Sequence, residues 1–144
     1  MKDQKTIFFI ILVICGLVLS ACGNNSTSVE KNEPITLEKI DESRNRLILT
    51  EHAAQRLDIQ TAPVTETTMS ETYLIVPYST IIYDLTGGVW IYVQSGPLTY
   101  HREQVVVETI EGDSVLLKEG PPVGTMVVTV GVPELYGADT GVGK

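Results

Sequence analysis

Apolar and polar positions divide the chain into three stretches. Ile7 to Leu19 is an unbroken apolar run, Gly23 to about Arg46 is polar without sustained periodicity, and from Leu47 onward short apolar runs alternate with turn residues. Within the polar stretch, Ile35, Leu37 and Ile40 could make a short strand or dock on the following domain; regular structure is expected from Leu47-Ile48-Leu49. Thr50 is placed to cap a helix through its hydroxyl, and residues 51–57 form two turns with Ala53, Ala54 and Leu57 on one side. After that the pattern is β. Ile59 to Val64, Thr72 to Val76, Thr80 to Tyr83, Val89 to Val93, Leu98 to Thr109, Ser114 to Leu117 and Met126 to Val130 read as strands. Turns are expected at Asp84 to Gly88, Gly96-Pro97, Glu111 to Asp113 and Gly120 to Gly124. In the longest strand, Leu98, Tyr100 and Arg102 share a face while Val105 and Val107 share a shifted one, which predicts a bulge near Glu103-Gln104. The fold class is therefore mainly β, a small barrel or sandwich with one short helix near residues 51–57 and no helical hairpin.

The apolar run at the start has the form of a secretion signal. Lys2 and Lys5 precede it, and Leu19-Ser20-Ala21-Cys22 ends it with small residues and a thiol. This resembles a bacterial lipobox, which implies cleavage between Ala21 and Cys22 and lipidation of Cys22. An uncleaved span is the alternative. Thirteen helical residues reach only about 20 Å at 1.5 Å per residue, against a hydrocarbon core about 30 Å thick.

Removing residues 1–21 leaves 123 residues with 8 basic and 17 acidic side chains. That excess of acid disfavours nucleic acid and anionic headgroups, so membrane attachment would rest on acyl chains. With Cys22 lipidated no thiol remains for a disulfide or a Cys-based metal site, since Cys15 lies within the removed segment.

Catalytic chemistry has little support. The pair Gly87-Gly88 precedes a strand and offers no helix N-terminus to a phosphate. His52 and His101 each lack a second histidine at ligand spacing, Met69 and Met126 are far apart, and Glu108, Glu111, Asp113 and Glu119 read as solvated strand and turn residues. Met126 is expected in the core. Trp90 and Tyr92, with Tyr83 and Tyr100 across the sheet, form an aromatic face that reads first as packing and second as a ligand platform. No catalytic residue, metal ligand or cofactor is expected.

Two segments, in order, resemble the periplasmic adaptor subunits, or membrane fusion proteins, of RND-type efflux systems in the HlyD-like superfamily. Leu49-Thr50-Glu51 through Val64 is similar to the segment entering the adaptor β-barrel domain, although Asp58 stands where Gly often precedes the isoleucine. Val76 to Asp84, Gly88 to Val93, Pro97 to Arg102, Gly120 to Thr125, Val127 to Gly131 and Glu134 to Ala138 are similar to the membrane-proximal domain. The resemblance divides the chain into a signal peptide (1–21), a tether (22–46), a β-barrel-like segment (47–76), a membrane-proximal-like domain (77–136) and a tail (137–144). Only about a dozen residues separate Val64 from Val76, so the lipoyl-like domain and long helical hairpin of full adaptors have no room.

The resemblance implies a lipid-anchored, non-enzymatic, adaptor-like subunit of an export system on the extracytoplasmic side of the cell membrane. Its partner would be a transporter or a sister adaptor subunit. Because binding residues concentrate on loops, Asp84, Gly87 and Gly88 in one turn and Pro121, Pro122 and Gly124 in another are the candidate contacts. The alternative is a small ligand- or metal-binding surface lipoprotein.

Overall fold

A computed structural model describes residues 33–141; Ala21, Cys22 and the first part of the tether lie outside the described residues. The described chain runs β1 (Ile35–Lys39), β2 (Asn45–Leu49), α1 (Glu51–Arg56), β3 (Gln60–Pro63), β4 (Thr65–Thr68), β5 (Thr72–Pro77), a 3-10 turn (Tyr78–Thr80), β6 (Ile82–Tyr83), β7 (Val89–Gly96), β8 (Thr99–Gln104), β9 (Val106–Glu111), β10 (Ser114–Glu119), β11 (Met126–Val130) and α2 (Val132–Thr140). The strands form two antiparallel sheets. One follows the order β1-β2-β8-β7-β11-β3, with β6 also on β7; the other is β4-β5-β10-β9. The described residues thus form a small β sandwich rather than a closed barrel, and they contain no helical hairpin.

The central strand β7 shows why the sheets pack. Ile91, Tyr92 and Val93 are all buried, and successive side chains point to opposite faces. Ile91 and Val93, with Val127 of β11, meet Val76, Val115 and Leu117 of the smaller sheet. On the opposite face Tyr92, Tyr100, Leu47, Leu49 and Val128 pack under Ala53 of α1 and Val132 and Leu135 of α2. The layers are therefore helices, larger sheet, smaller sheet. β11 is buried on both faces at Val127 and Val128, as its apolar run predicts, whereas Met126 is only half-buried.

Two buried valines mark the corners where the chain passes from the larger sheet to the smaller one. Val64 lies between β3 and β4, with its N–H donating to Thr125 O at 2.8 Å and its carbonyl accepting from Gly124 N at 2.9 Å. Val105 lies between β8 and β9, its N–H donating to Val89 O at 2.9 Å. Both side chains enter the layer between the sheets. The expected continuous strand from Leu98 to Thr109 is consequently two strands. The change of parity at Glu103-Gln104 records a corner rather than a bulge, because Val105 must turn inward for the chain to enter the second sheet.

Further differences from the sequence reading have local causes. Ile35–Lys39 is a strand paired with β2, so regular structure begins before Leu47. Thr80 lies in the 3-10 turn, not a strand, because its buried hydroxyl donates to Pro77 O at 2.7 Å. The border between residues 76 and 77 falls inside β5, and both sheets draw strands from both sides of it. Residues 132–140, spread over the membrane-proximal-like segment and the tail, form α2. Gly131 caps its start and Gly141 its end, both in the left-handed conformation. The helix 51–57 is present as α1, with Thr50 Oγ1 accepting from Ala53 N at 3.2 Å.

Candidate functional site

The Asp84–Gly88 turn joins β6 to β7 and is built around one carboxylate. Asp84 Oδ1 accepts from Thr86 N at 2.8 Å, Thr86 Oγ1 at 2.7 Å and Gly88 N at 2.8 Å; Oδ2 accepts from the Trp90 indole Nε1 at 2.8 Å. Backbone bonds close the turn, from Asp84 N to Gly88 O and from Gly87 N to Asp84 O. These donors favour the ionised form. The Thr86 hydroxyl first, then the Trp90 indole, holds Asp84 far below the usual carboxylate range.

Each glycine has a separate reason to be there. Gly87 has φ of 85°, which a side chain resists. Gly88 is a matter of space: a Cβ there would come within 2.6 Å of Asp84 Oδ2 and 2.8 Å of Trp90 Nε1. Asp84, Gly87 and Gly88 are thus brought together in one pre-formed loop. Its tip presents Leu85 at 102% of full exposure, beside a half-exposed Tyr83. Tyr83 therefore does not join the buried aromatic face of Tyr92 and Tyr100, although Trp90 packs partly against it.

The turn is backed by a polar chain that runs through the sheet. The Arg102 guanidinium lies 5.0 Å from the centre of the Trp90 ring, a cation–π arrangement. Tyr92 and Arg102 are cross-strand partners. Arg102 Nε is 3.2 Å from Asp139 Oδ2, an ion pair in which the N–H does not aim at the oxygen as a hydrogen bond. Asp139 also accepts from Tyr92 OH at 2.8 Å and from Asn45 Nδ2 at 2.8 Å. Burial, reinforced by the neighbouring Asp139 charge, pushes the Tyr92 phenol far above its ordinary range. Arg102 Nη2 donates to the carbonyl of Ser43 in the β1–β2 turn, a turn that Asp41 orders by accepting from Ser43 N and Arg44 N. One arginine therefore ties together the Asp84 turn, the β1–β2 turn and α2.

The second set of candidate contacts is arranged differently. Pro121 is buried, which removes it as a contact surface; Pro122 and Gly124 are exposed in the crossing from β10 to β11, beside a half-exposed Val123. The candidates for chemistry stay apart. His52 is exposed on α1, His101 is half-buried with Nε2 3.2 Å from Glu103 Oε1, and Met69 is exposed. Among the described residues no group of three His, Cys, Asp or Glu side chains could hold a metal ion. No described helix is long and apolar enough to cross a membrane.

The sequence reading did not find Arg102, Asp139 and Asn45. The alternation that pairs Trp90 with Tyr92 and Tyr100 with Arg102 was a usable signal, since it sets an arginine on a face with buried aromatics. No protein-family model, curated protein or solved structure matches the chain.

Proposed function

We propose that this chain is a lipid-anchored, non-enzymatic, adaptor-like subunit of a membrane export system. Acyl chains on Cys22 hold it at the extracytoplasmic face, and the Asp84–Gly88 turn docks on a transporter or on a sister adaptor subunit. The observation that carries the reading is the pairing of rigidity with exposure at this turn. Four hydrogen bonds to one carboxylate fix a loop whose tip leucine lies wholly in water. Burying a leucine side chain is worth about 1.5–3 kcal/mol, and a loop already in its bound shape loses little entropy on docking. The Asp84 charge is occupied by internal donors, so the surface offered to a partner is apolar at its tip. The matching socket is an apolar pocket on a protein, and the acyl anchor raises the local concentration of the turn near it.

The test is affinity isolation of the lipidated protein from solubilised membranes. The reading expects an integral membrane transporter or an adaptor subunit to co-purify in stoichiometric amount, and Leu85→Asp to lose it. Isolation of the protein without such a partner contradicts the reading.

A further inference from the structure

A second surface lies beside α1. Glu51, Ala54, Gln55 and Asp58, spaced three and four residues apart, form one wall of an open groove of about 390 Å³; Ile59 and Leu98 complete it. Ala54, Ile59 and Leu98 are half-buried and give an apolar floor, while Glu51 and Asp58 are exposed at the rim. Glu51 has no ion-pair partner among the described residues, and Asp58 accepts only from the neutral Gln60 amide, at 2.9 Å. The cation of α1, Arg56, lies against a separate small cleft with Pro34 and Ile35. The rim charge is therefore not balanced within the groove.

Two residues of the groove hold conformations that glycine would take without strain. Asp58 has φ of 48° and Leu98 has φ of 51°, and these are the two non-glycine residues of positive φ in the chain's described part. Glycine at either place would relax the backbone and also remove the wall that the side chain supplies. The Leu98 carbonyl accepts from Leu49 N at 2.9 Å, which fixes the turn that carries this side chain.

We propose that this groove docks a basic side chain with an aliphatic stem, a lysine or arginine presented by a partner polypeptide. The stem matches the apolar floor, the uncompensated negative charge of Glu51 and Asp58 at the rim attracts the cationic head, and the open side leaves room for the partner's backbone. This surface is independent of the Asp84 turn and of the lipid anchor.

The experiment uses the full-length protein in detergent micelles with labelled methyl groups. Two capped pentapeptides are titrated, alanines around a central lysine and alanines around a central norleucine, alike in stem and different in charge. The expected result is saturable shifts of the Ile59 and Leu98 methyls, with the lysine peptide binding about three- to five-fold tighter at low salt. The double variant Glu51→Gln, Asp58→Asn removes that preference; asparagine tolerates the left-handed conformation at position 58. Should the variant fail to fold, salt serves in its place: about 0.5 M NaCl weakens the lysine peptide alone. Equal affinity for the two peptides, saturable shifts elsewhere, no saturable shift, or a lysine preference unmoved by both variant and salt overturns the proposal.

Discussion

Arg102 and Asp139 form an ion pair across the boundary between β8 and α2, with Nε 3.2 Å from Oδ2, the aspartate side chain fully buried and the arginine 14% exposed. Asp139 sits in the last turn of α2, where a negative charge is disfavoured by the helix dipole. Its place there is explained by three partners, Arg102, Tyr92 and Asn45, each from a strand. The pair seats the helix. Through the stack on Trp90 it also stiffens the floor of the Asp84 turn.

Breaking the pair on one side strands a charge. Arg102→Met is expected to lower stability by about 3–5 kcal/mol, because Asp139 remains buried without its cation. Adding Asp139→Asn removes that charge and should recover part of the loss. Urea unfolding of the two single variants and the double variant measures the coupling. Simple additivity would show that the two side chains do not act as a pair.

Gly131 is tightly constrained. Its φ is 85°, and a Cβ would run into the Ile59 Cδ1 methyl and lie 3.2 Å from the Leu57 carbonyl oxygen. Gly131→Ala should cost about 2–4 kcal/mol through backbone strain and overpacking together. Gly112→Ala, also at positive φ but with open space around it, should cost less. Thermal unfolding ranks the two, and equal losses would remove the steric part of the explanation.

Stability should fall at both ends of the pH scale, for different groups. Asp41 is held at about 2, chiefly by its hydrogen bond from Arg44, and Asp84 is pushed lower still by Thr86 and Trp90. An unfolded aspartate titrates near 3.9. The stability from both turns is therefore present above about pH 4 and lost as pH falls through the folded values. Tyr92 behaves oppositely. Its raised value means its contribution is full below about pH 10, the unfolded value, and is lost above it. Urea midpoints across pH should form a plateau with two falling arms. Thr86→Ala should shrink the acid arm and Tyr92→Phe the alkaline one.

Much of the β framework was legible because its signals are local. A run of branched and aromatic residues from Val89 to Val93 located β7, and turn residues bounded the Asp84 loop and the β9–β10 turn. The corners at Val64 and Val105 were not legible as corners, since a valine that turns between sheets looks like any other strand valine. β4, with sequence Thr-Glu-Thr-Thr, has no apolar alternation to reveal it. α2 was hidden by Asp139: the stripe Val132, Leu135, Tyr136, Asp139 has helical spacing, but its last member is an acid whose partners lie about 40 to 95 residues away in sequence. In the candidate site, the turn could be read from Asp84 and its glycines. Its brace could not, because Arg102 and Asp139 meet only in the folded chain.

The anchor has its own test. Cys22→Ala should abolish incorporation of labelled fatty acid, since Cys22 is the residue that would carry the acyl chains. Unchanged labelling in that variant would contradict the lipoprotein reading while leaving the described fold untouched.

A docking role for the Asp84–Gly88 turn is read out by crosslinking from its tip. A photoreactive residue placed at Leu85 is activated in intact cells, with the same residue at the exposed Thr68 of β4 as the control. The expected result is an adduct from position 85, identified by mass spectrometry as an export transporter or adaptor subunit. It should be absent from position 68 and lost when Gly88→Ala disrupts the Asp84–Trp90 contact. No such adduct from position 85, or an adduct equally strong from position 68 and indifferent to Gly88→Ala, would contradict it.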